Sequence, residues 1–223
     1  MTAKSKVSRV DNAYDMIKEE ILENRMPPGF QATEPEIAVR LGMSRTPVRE
    51  ALLKLEAEGL LEIIPRRGAR VLPIMPEDMS EIYQILTALE PEAAYLLASR
   101  TINDHDLKEL EDLTTKMEKA IQEEDRESWA KADDGFHRKL LELCANKRLE
   151  KIISTLFDQA HRARMLTLKL REMPVKSTQE HRELMDAITS GNAEKAKSVF
   201  REHRERSAKE LVKILDEYRF SNL

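Results

Sequence analysis

Leu41-Gly42-Met43-Ser44-Arg45-Thr46-Pro47-Val48-Arg49-Glu50-Ala51-Leu52 decides how the first third of this chain is read. Gly42 stops one helix, and Ser44 is a good N-cap for the next, because its hydroxyl can accept from a first-turn N–H. Arg45 and Arg49 lie four apart and share one helix face, while Val48, Leu52 and Leu55 line another. The helix that begins at Ser44 therefore has an apolar side for a core and a basic side for a partner.

Working outward, Thr33-Glu34-Pro35-Glu36 upstream is a capping box, with Pro35 in the first turn, where no intrahelical N–H is lost. Tyr14, Ile17 and Ile21 recur at helical spacing and predict a helix over about 11–25, stopped by Met26-Pro27-Pro28-Gly29. Downstream, Gly59 ends the basic helix and Leu60 to Ile64 is strand-like. Pro65-Arg66-Arg67-Gly68 is a turn, and Ala69 to Leu72 returns as a second strand. Helix, helix, short turn, helix and hairpin make a winged helix-turn-helix over residues 1–75.

That geometry implies chemistry. A helix lying in the major groove presents its N-terminal side chains to base edges. Arg45 and Arg49 are placed there, and arginine can bond guanine O6 and N7 with two parallel N–H groups. The Ser44 and Thr46 hydroxyls can meet phosphates, and Arg66, Arg67 and Arg70 of the wing can reach a neighbouring backbone or minor groove. The expected partner is double-stranded operator DNA. Net charge is −4, but residues 1–75 carry 12 Lys and Arg against 11 Asp and Glu, leaving the rest of the chain acidic.

From Pro76 onward the pattern is almost wholly helical. Helices are expected at about 76–100, 104–123, 126–146, 147–171, 176–190 and 193–217, with Pro91 kinking or interrupting the first. The fold class is mainly α: a winged helix-turn-helix at 1–75 and an all-α six-helix bundle at 76–223. Asp133 and His137 are four apart on one face. His181 and His203 each lie 11 residues from Asn192 in the Gly191-Asn192 turn, so an antiparallel hairpin sets them at about the same height. If the Asp133–His137 helix packs beside that hairpin, one carboxylate and three imidazoles meet. Such a set suits a divalent transition metal, zinc or nickel, and needs neutral imidazoles, so affinity is expected to fall below about pH 6.5.

Cys144 is the only cysteine, which excludes an internal disulfide and a cysteine-rich zinc site. No apolar run approaches the roughly 18–20 residues of a membrane span, and Met1 to Val10 lacks the apolar core of a signal peptide, so a cytoplasmic protein with no membrane partner is expected.

The run Ser44-Arg45-Thr46-Pro47-Val48-Arg49-Glu50-Ala51-Leu52, with Glu36-Ile37-Ala38 and Pro65-Arg66-Arg67-Gly68, resembles the DNA-binding domain of GntR-type regulators. Asp133-Asp134-Gly135-Phe136-His137 with Asn146, then Glu180-His181, Gly191-Asn192, Ala196 and His203, resembles the FCD ligand-binding domain of the FadR-type branch. The resemblance implies a metabolite-responsive repressor that is not an enzyme. It also implies a homodimer joined through the helical domains, a metal on Asp133, His137, His181 and His203, and an organic-acid effector in the same cavity. His105 and His161 match no ligand position. Leu86 stands four residues before Glu90, where many relatives carry an arginine facing the effector. A regulator with a purely structural metal is an alternative. So is a metal-dependent hydrolase with an accessory DNA-binding domain, although Glu180 and Glu202 project about 100° from their neighbouring histidines and leave no free base.

Overall fold

A computed structural model describes residues 8–218. The chain separates into two compact units, one running to Ile74 and the next starting at Met75. The first contains α1 (Arg9–Leu22), β1 (Gln31–Ala32), α2 (Glu34–Leu41), α3 (Arg45–Ala57), β2 (Leu61–Ile64) and β3 (Gly68–Val71). The antiparallel sheet has the order β1-β3-β2, and Ile64 opposite Gly68 closes the hairpin.

The helices begin and end for local reasons. The Ser8 hydroxyl accepts from the Asp11 N–H at the start of α1, and Asn24, at φ 59°, turns the chain left-handed just after its end. That asparagine stops α1 before the Met26-Pro27-Pro28-Gly29 run is reached. At α2 the capping box forms in both directions, with the Thr33 N–H donating to Glu36 Oε2 at 2.7 Å. Ile17, Ile21, Ile37, Val48, Leu52, Leu55, Leu60 and Val71 then share one buried core.

β1 was not legible in the sequence. Its two residues pair with Ala69 and Arg70 of β3. Gly68 explains why that pairing can be so close. Its φ is +85°, and a Cβ there would overlap the Ala32 carbonyl.

Among the described residues the second unit is wholly helical: α4 (Pro76–Ala98), α5 (Asp104–Gln122), α6 (Arg126–Leu143), α7 (Lys147–Thr167), α8 (Val175–Thr189) and α9 (Ala193–Tyr218). Pro91 does not interrupt α4; it is buried inside one continuous helix. The packing of α4 against α9 holds that helix together despite the missing N–H, and the buried Glu90–Arg204 ion pair ties the two. Asn146, part of the motif that resembles the FCD segment, is the N-cap of α7 and accepts from the Leu149 N–H at 3.1 Å. The α8–α9 connection turns at Gly191, φ 69°, with the Asn192 side chain capping α9 through the Lys195 N–H. Among the described residues no helix is long and apolar enough to cross a membrane.

Candidate functional site

Two sets of side chains were singled out in the sequence, one in each unit. In the first unit, Ser44, Arg45, Thr46 and Arg49 occupy the exposed N-terminal end of α3, opposite the buried Val48 and Leu52. Ser44 is the N-cap by backbone geometry, but its hydroxyl makes no capping hydrogen bond. Arg49 is 70% exposed and 3.8 Å from Glu34, too loose a pairing to hold it. Arg66 and Arg67 form the exposed hairpin tip, Arg66 at φ 64°. Among the described residues, no carboxylate pairs with Arg45, Arg66 or Arg67. Arg70 differs, since Glu62 on β2 holds it at 2.6 Å. It is therefore the least available of the seven.

In the second unit, α6 carries Asp133 and His137, α8 carries His181 and α9 carries His203; all four are buried. The α8–α9 hairpin brings the His181 and His203 rings to 4.8 Å between centroids, and His137 lies 5.1 Å from His181. Each of the three rings presents a nitrogen within 4.8 Å of the others. Asp133 Oδ1 is 3.6 Å from His137 Nε2 and 3.5 Å from His181 Nε2. His105 is exposed beside Asp106, and His161 contacts Asp134; neither joins this group.

The polar groups behind the rings decide which nitrogen faces inward. His181 Nδ1 lies 2.7 Å from the Ser177 carbonyl, which can only accept, so the proton is on Nδ1 and Nε2 keeps its lone pair. His203 Nδ1 lies 2.8 Å from Glu180 Oε2, with the same consequence. Glu180 does project away from its neighbour His181, but it reaches across to the adjacent helix and orients His203. His137 Nδ1 is approached by Arg204 Nη2 at 2.8 Å and by Glu90 Oε1 at 3.4 Å.

Burial pushes His181 down to about 4, against the opposing pull of Asp133, and pushes His203 well below its ordinary value. Burial alone would raise the Asp133 carboxyl. His137, His181 and Arg164 outweigh that and hold it well below the usual carboxylate range. Two neutral imidazoles and an ionised carboxylate are the protonation states that metal ligation needs. His137 Nε2 and His181 Nε2 are buried without a hydrogen-bond partner. Asp133 and the three imidazoles make an N₃O set that fits a first-row divalent cation, with His181 and His203 already presenting lone pairs; His137, whose Nδ1 accepts from Arg204, presents one at Nε2 once Nδ1 donates to Glu90 instead.

Above the cluster is a narrow cavity walled by Tyr83, Trp129, Asp133, Arg164, His203 and Arg204. At about 20 Å³ it has room for roughly one water. Phe136, Phe157 and Phe200 pack against the His137 or His181 rings. Sequence reasoning missed Arg204 and Glu90 as partners of His137, because their elements lie far apart in the chain.

Comparison with known proteins agrees with both units. Residues 9–71 match the family described as bacterial regulatory proteins, gntR family, and residues 81–206 match the FCD domain. An uncharacterized HTH-type transcriptional regulator in the TAR-I ttuE-ttuC' intergenic region of Agrobacterium vitis is 41% identical over 143 residues, 63% of this chain and 84% of its own. The probable D-xylose utilization operon transcriptional repressor of Paenarthrobacter nicotinovorans is 33% identical over 190 residues, 85% of this chain and 82% of its own. Among solved structures, E. coli McbR/YncC has a TM-score of 0.81 at 22% identity, across 93% of this chain and 99% of that one, which is a likeness of fold.

Proposed function

Since this chain belongs to the GntR-family regulators that carry an FCD domain, and is a DNA-binding transcription regulator rather than an enzyme, we propose that it is a metal-dependent, effector-responsive repressor. In this reading residues 1–75 bind operator DNA in the cytoplasm and residues 76–223 bind metal and effector and pair two copies into a homodimer. Arg45 and Arg49 read bases, Ser44 and Thr46 meet phosphates, and Arg66, Arg67 and Arg70 reach a neighbouring backbone or minor groove. The repressor sign is supported by the Paenarthrobacter relative, which is named a probable repressor.

The single observation that carries the metal reading is the pair of orphaned, buried nitrogens of His137 and His181 facing one carboxylate. Unpaired polar atoms in an apolar interior each cost about 1–3 kcal/mol, so a group that satisfies two of them at once is favoured. Asp133, His137, His181 and His203 would hold one divalent ion, zinc or nickel. When bound, that ion supplies a Lewis-acidic position for the carboxylate of a small organic acid. Ser177 and Glu180 keep the His181 and His203 rings turned toward it. The cavity is too small for an organic acid as it stands, so an effector enters only if the helices carrying its walls shift. Two-fold operators mirror two-fold proteins, so the same shift in a dimer alters half-site spacing.

The test is metal analysis followed by operator titration of the wild type, His137→Ala and Arg49→Ala, with and without metal and organic acids. Loss of metal in His137→Ala together with an altered effector response supports the reading. A wild type that takes up no divalent metal at neutral pH overturns it. Metal loss with unchanged operator binding and unchanged effector response leaves a structural ion only.

A further inference from the structure

Acceptors behind the rings fix the outer nitrogens of His181 and His203, but His137 is held by a donor. A guanidinium can only donate, so the 2.8 Å approach of Arg204 Nη2 makes His137 Nδ1 the acceptor. A ring that accepts at Nδ1 is neutral and carries its one proton on Nε2. That nitrogen is 3.6 Å from Asp133 Oδ1, which is in turn 3.5 Å from His181 Nε2. An Nε2 that carries a proton cannot ligate a cation. The bond from Arg204 and ligation through Nε2 are therefore mutually exclusive.

The means of exchanging the two lie behind the ring. Glu90 Oε1 is 3.4 Å from His137 Nδ1, and Arg204 Nη2 donates to the same oxygen at 2.6 Å. Burial alone would raise the Glu90 carboxyl; Arg204 and His137 outweigh that and hold it below its ordinary value, so it is an acceptor. When the ring proton is on Nδ1, that nitrogen and Nη2 are two donors facing each other, and the guanidinium must turn away. Closing Nδ1 onto Oε1 takes about 0.6 Å, from 3.4 Å to the ~2.8 Å of a charge-assisted bond. Arg204 keeps its other holds meanwhile. Its Nε is paired with Glu90 Oε2, and its Cζ lies 5.5 and 5.6 Å from the ring centres of Phe157 and Phe200.

We propose that Glu90 and Arg204 are positioning residues that set the tautomer of His137 and so switch it between a ligating and a non-ligating form. In one form Arg204 donates to Nδ1, and the proton on Nε2 faces Asp133. In the other, Nδ1 donates to Glu90 and the bare Nε2 ligates the divalent cation. The ring is neutral in both, because one proton leaves Nε2 for water and one returns to Nδ1. This rests on the metal reading above. The two residues pull in opposite directions, Glu90 toward the ligating tautomer and Arg204 toward the other. Glu90 is on α4, and Arg204 is on α9 beside the ligand His203, so a cation held through His137 on α6 changes the contact between α4 and α9.

The experiment is NMR of the histidine ring nitrogens in the full-length protein carrying isotope-labelled histidine, in chelator and then with zinc, with His137→Gln to assign the ring. Zinc affinity is measured by competition titration on the wild type, Glu90→Gln and Arg204→Lys, with helical circular dichroism on each. In the wild type, His137 Nδ1 should have the shift of an unprotonated nitrogen in chelator and of a protonated one with zinc. Glu90→Gln should bind zinc roughly tenfold to a hundredfold more weakly. Arg204→Lys keeps a charge beside Glu90 but ends short of the Nη2 position. It should bind zinc several-fold more tightly, with Nδ1 protonated even in chelator. A wild-type Nδ1 that is protonated in chelator, or that stays unprotonated with zinc, overturns the inference and leaves the metal reading standing. Equal weakening in both variants overturns it in favour of a structural ion pair, and unchanged affinity in Glu90→Gln overturns it as well. If either variant does not fold, the wild-type spectra alone decide. A wild type that takes up no zinc overturns both readings.

Discussion

Acidification of the metal-stripped protein should cost stability in a window set by His181. Its ordinary value is 6.5, and burial carries it to about 4 in the folded chain. Between these two values the unfolded chain binds a proton at His181 that the folded chain refuses. More protons on the unfolded side means that stability rises with pH, so the contribution is complete above about 6.5 and lost as pH falls toward 4. At about 1.4 kcal/mol per unit, the full loss is about 3 kcal/mol. Trp129 is the only tryptophan of the chain and donates to Thr178 Oγ1 at 2.8 Å inside the helical unit, so its fluorescence follows that unit alone. The assay is urea denaturation followed at Trp129 from about pH 7.5 to 4.5, on the wild type and His181→Gln. Gln can still donate to the Ser177 carbonyl but does not titrate, so carboxylate titrations common to both proteins cancel in the difference. The wild type should lose about 3 kcal/mol more than His181→Gln over the window. Parallel curves would refute the assignment of a buried neutral His181. The same shift alters the sequence-based expectation for the metal. Proton competition at His181 begins near 4 rather than 6.5, so metal retention should persist into mildly acidic solution.

Further outcomes are expected. Glu180→Gln, which loosens the orientation of His203, should weaken zinc binding about 10- to 100-fold in a competition titration, without removing a ligand. Arg45→Ala and Arg49→Ala should each cost about 1–3 kcal/mol on the specific operator. Arg67→Ala should instead flatten the salt dependence by about one phosphate contact, read on specific and scrambled duplexes. Gly68→Ala should destabilise the first unit by about 1–3 kcal/mol or more, seen as a lower melting temperature and loss of operator binding, because its Cβ meets the Ala32 carbonyl at φ +85°. Sedimentation at micromolar concentration without DNA should give twice the chain mass of 25.7 kDa, and a monomer would remove the dimer from the proposal.

Much of this protein follows from the chain alone. Caps and periodicity are local: Thr33 with Glu36, Ser44 with Arg45 and Arg49, and the Pro65–Gly68 turn specify a helix-turn-helix and wing because each signal acts within a few residues. The equal 11-residue distances of His181 and His203 from Asn192 likewise anticipate two rings at one height, since a tight turn between antiparallel helices preserves register. The rotation of one helix against another is not local. Whether Glu180 faces solvent or His203 depends on how α8 rolls against α9, and one residue of roll turns a side chain by about 100°. The same holds for Glu90 and Arg204, 114 residues apart, which meet behind His137 only because α4 packs along α9. The two-residue β1 carries no period of its own and exists only because β3 passes close by with Gly68 at the contact. Arg164 shows the limit most clearly. In the sequence it is one of several arginines in a charged helix; only the packed helices bury it and set its guanidinium against Asp134.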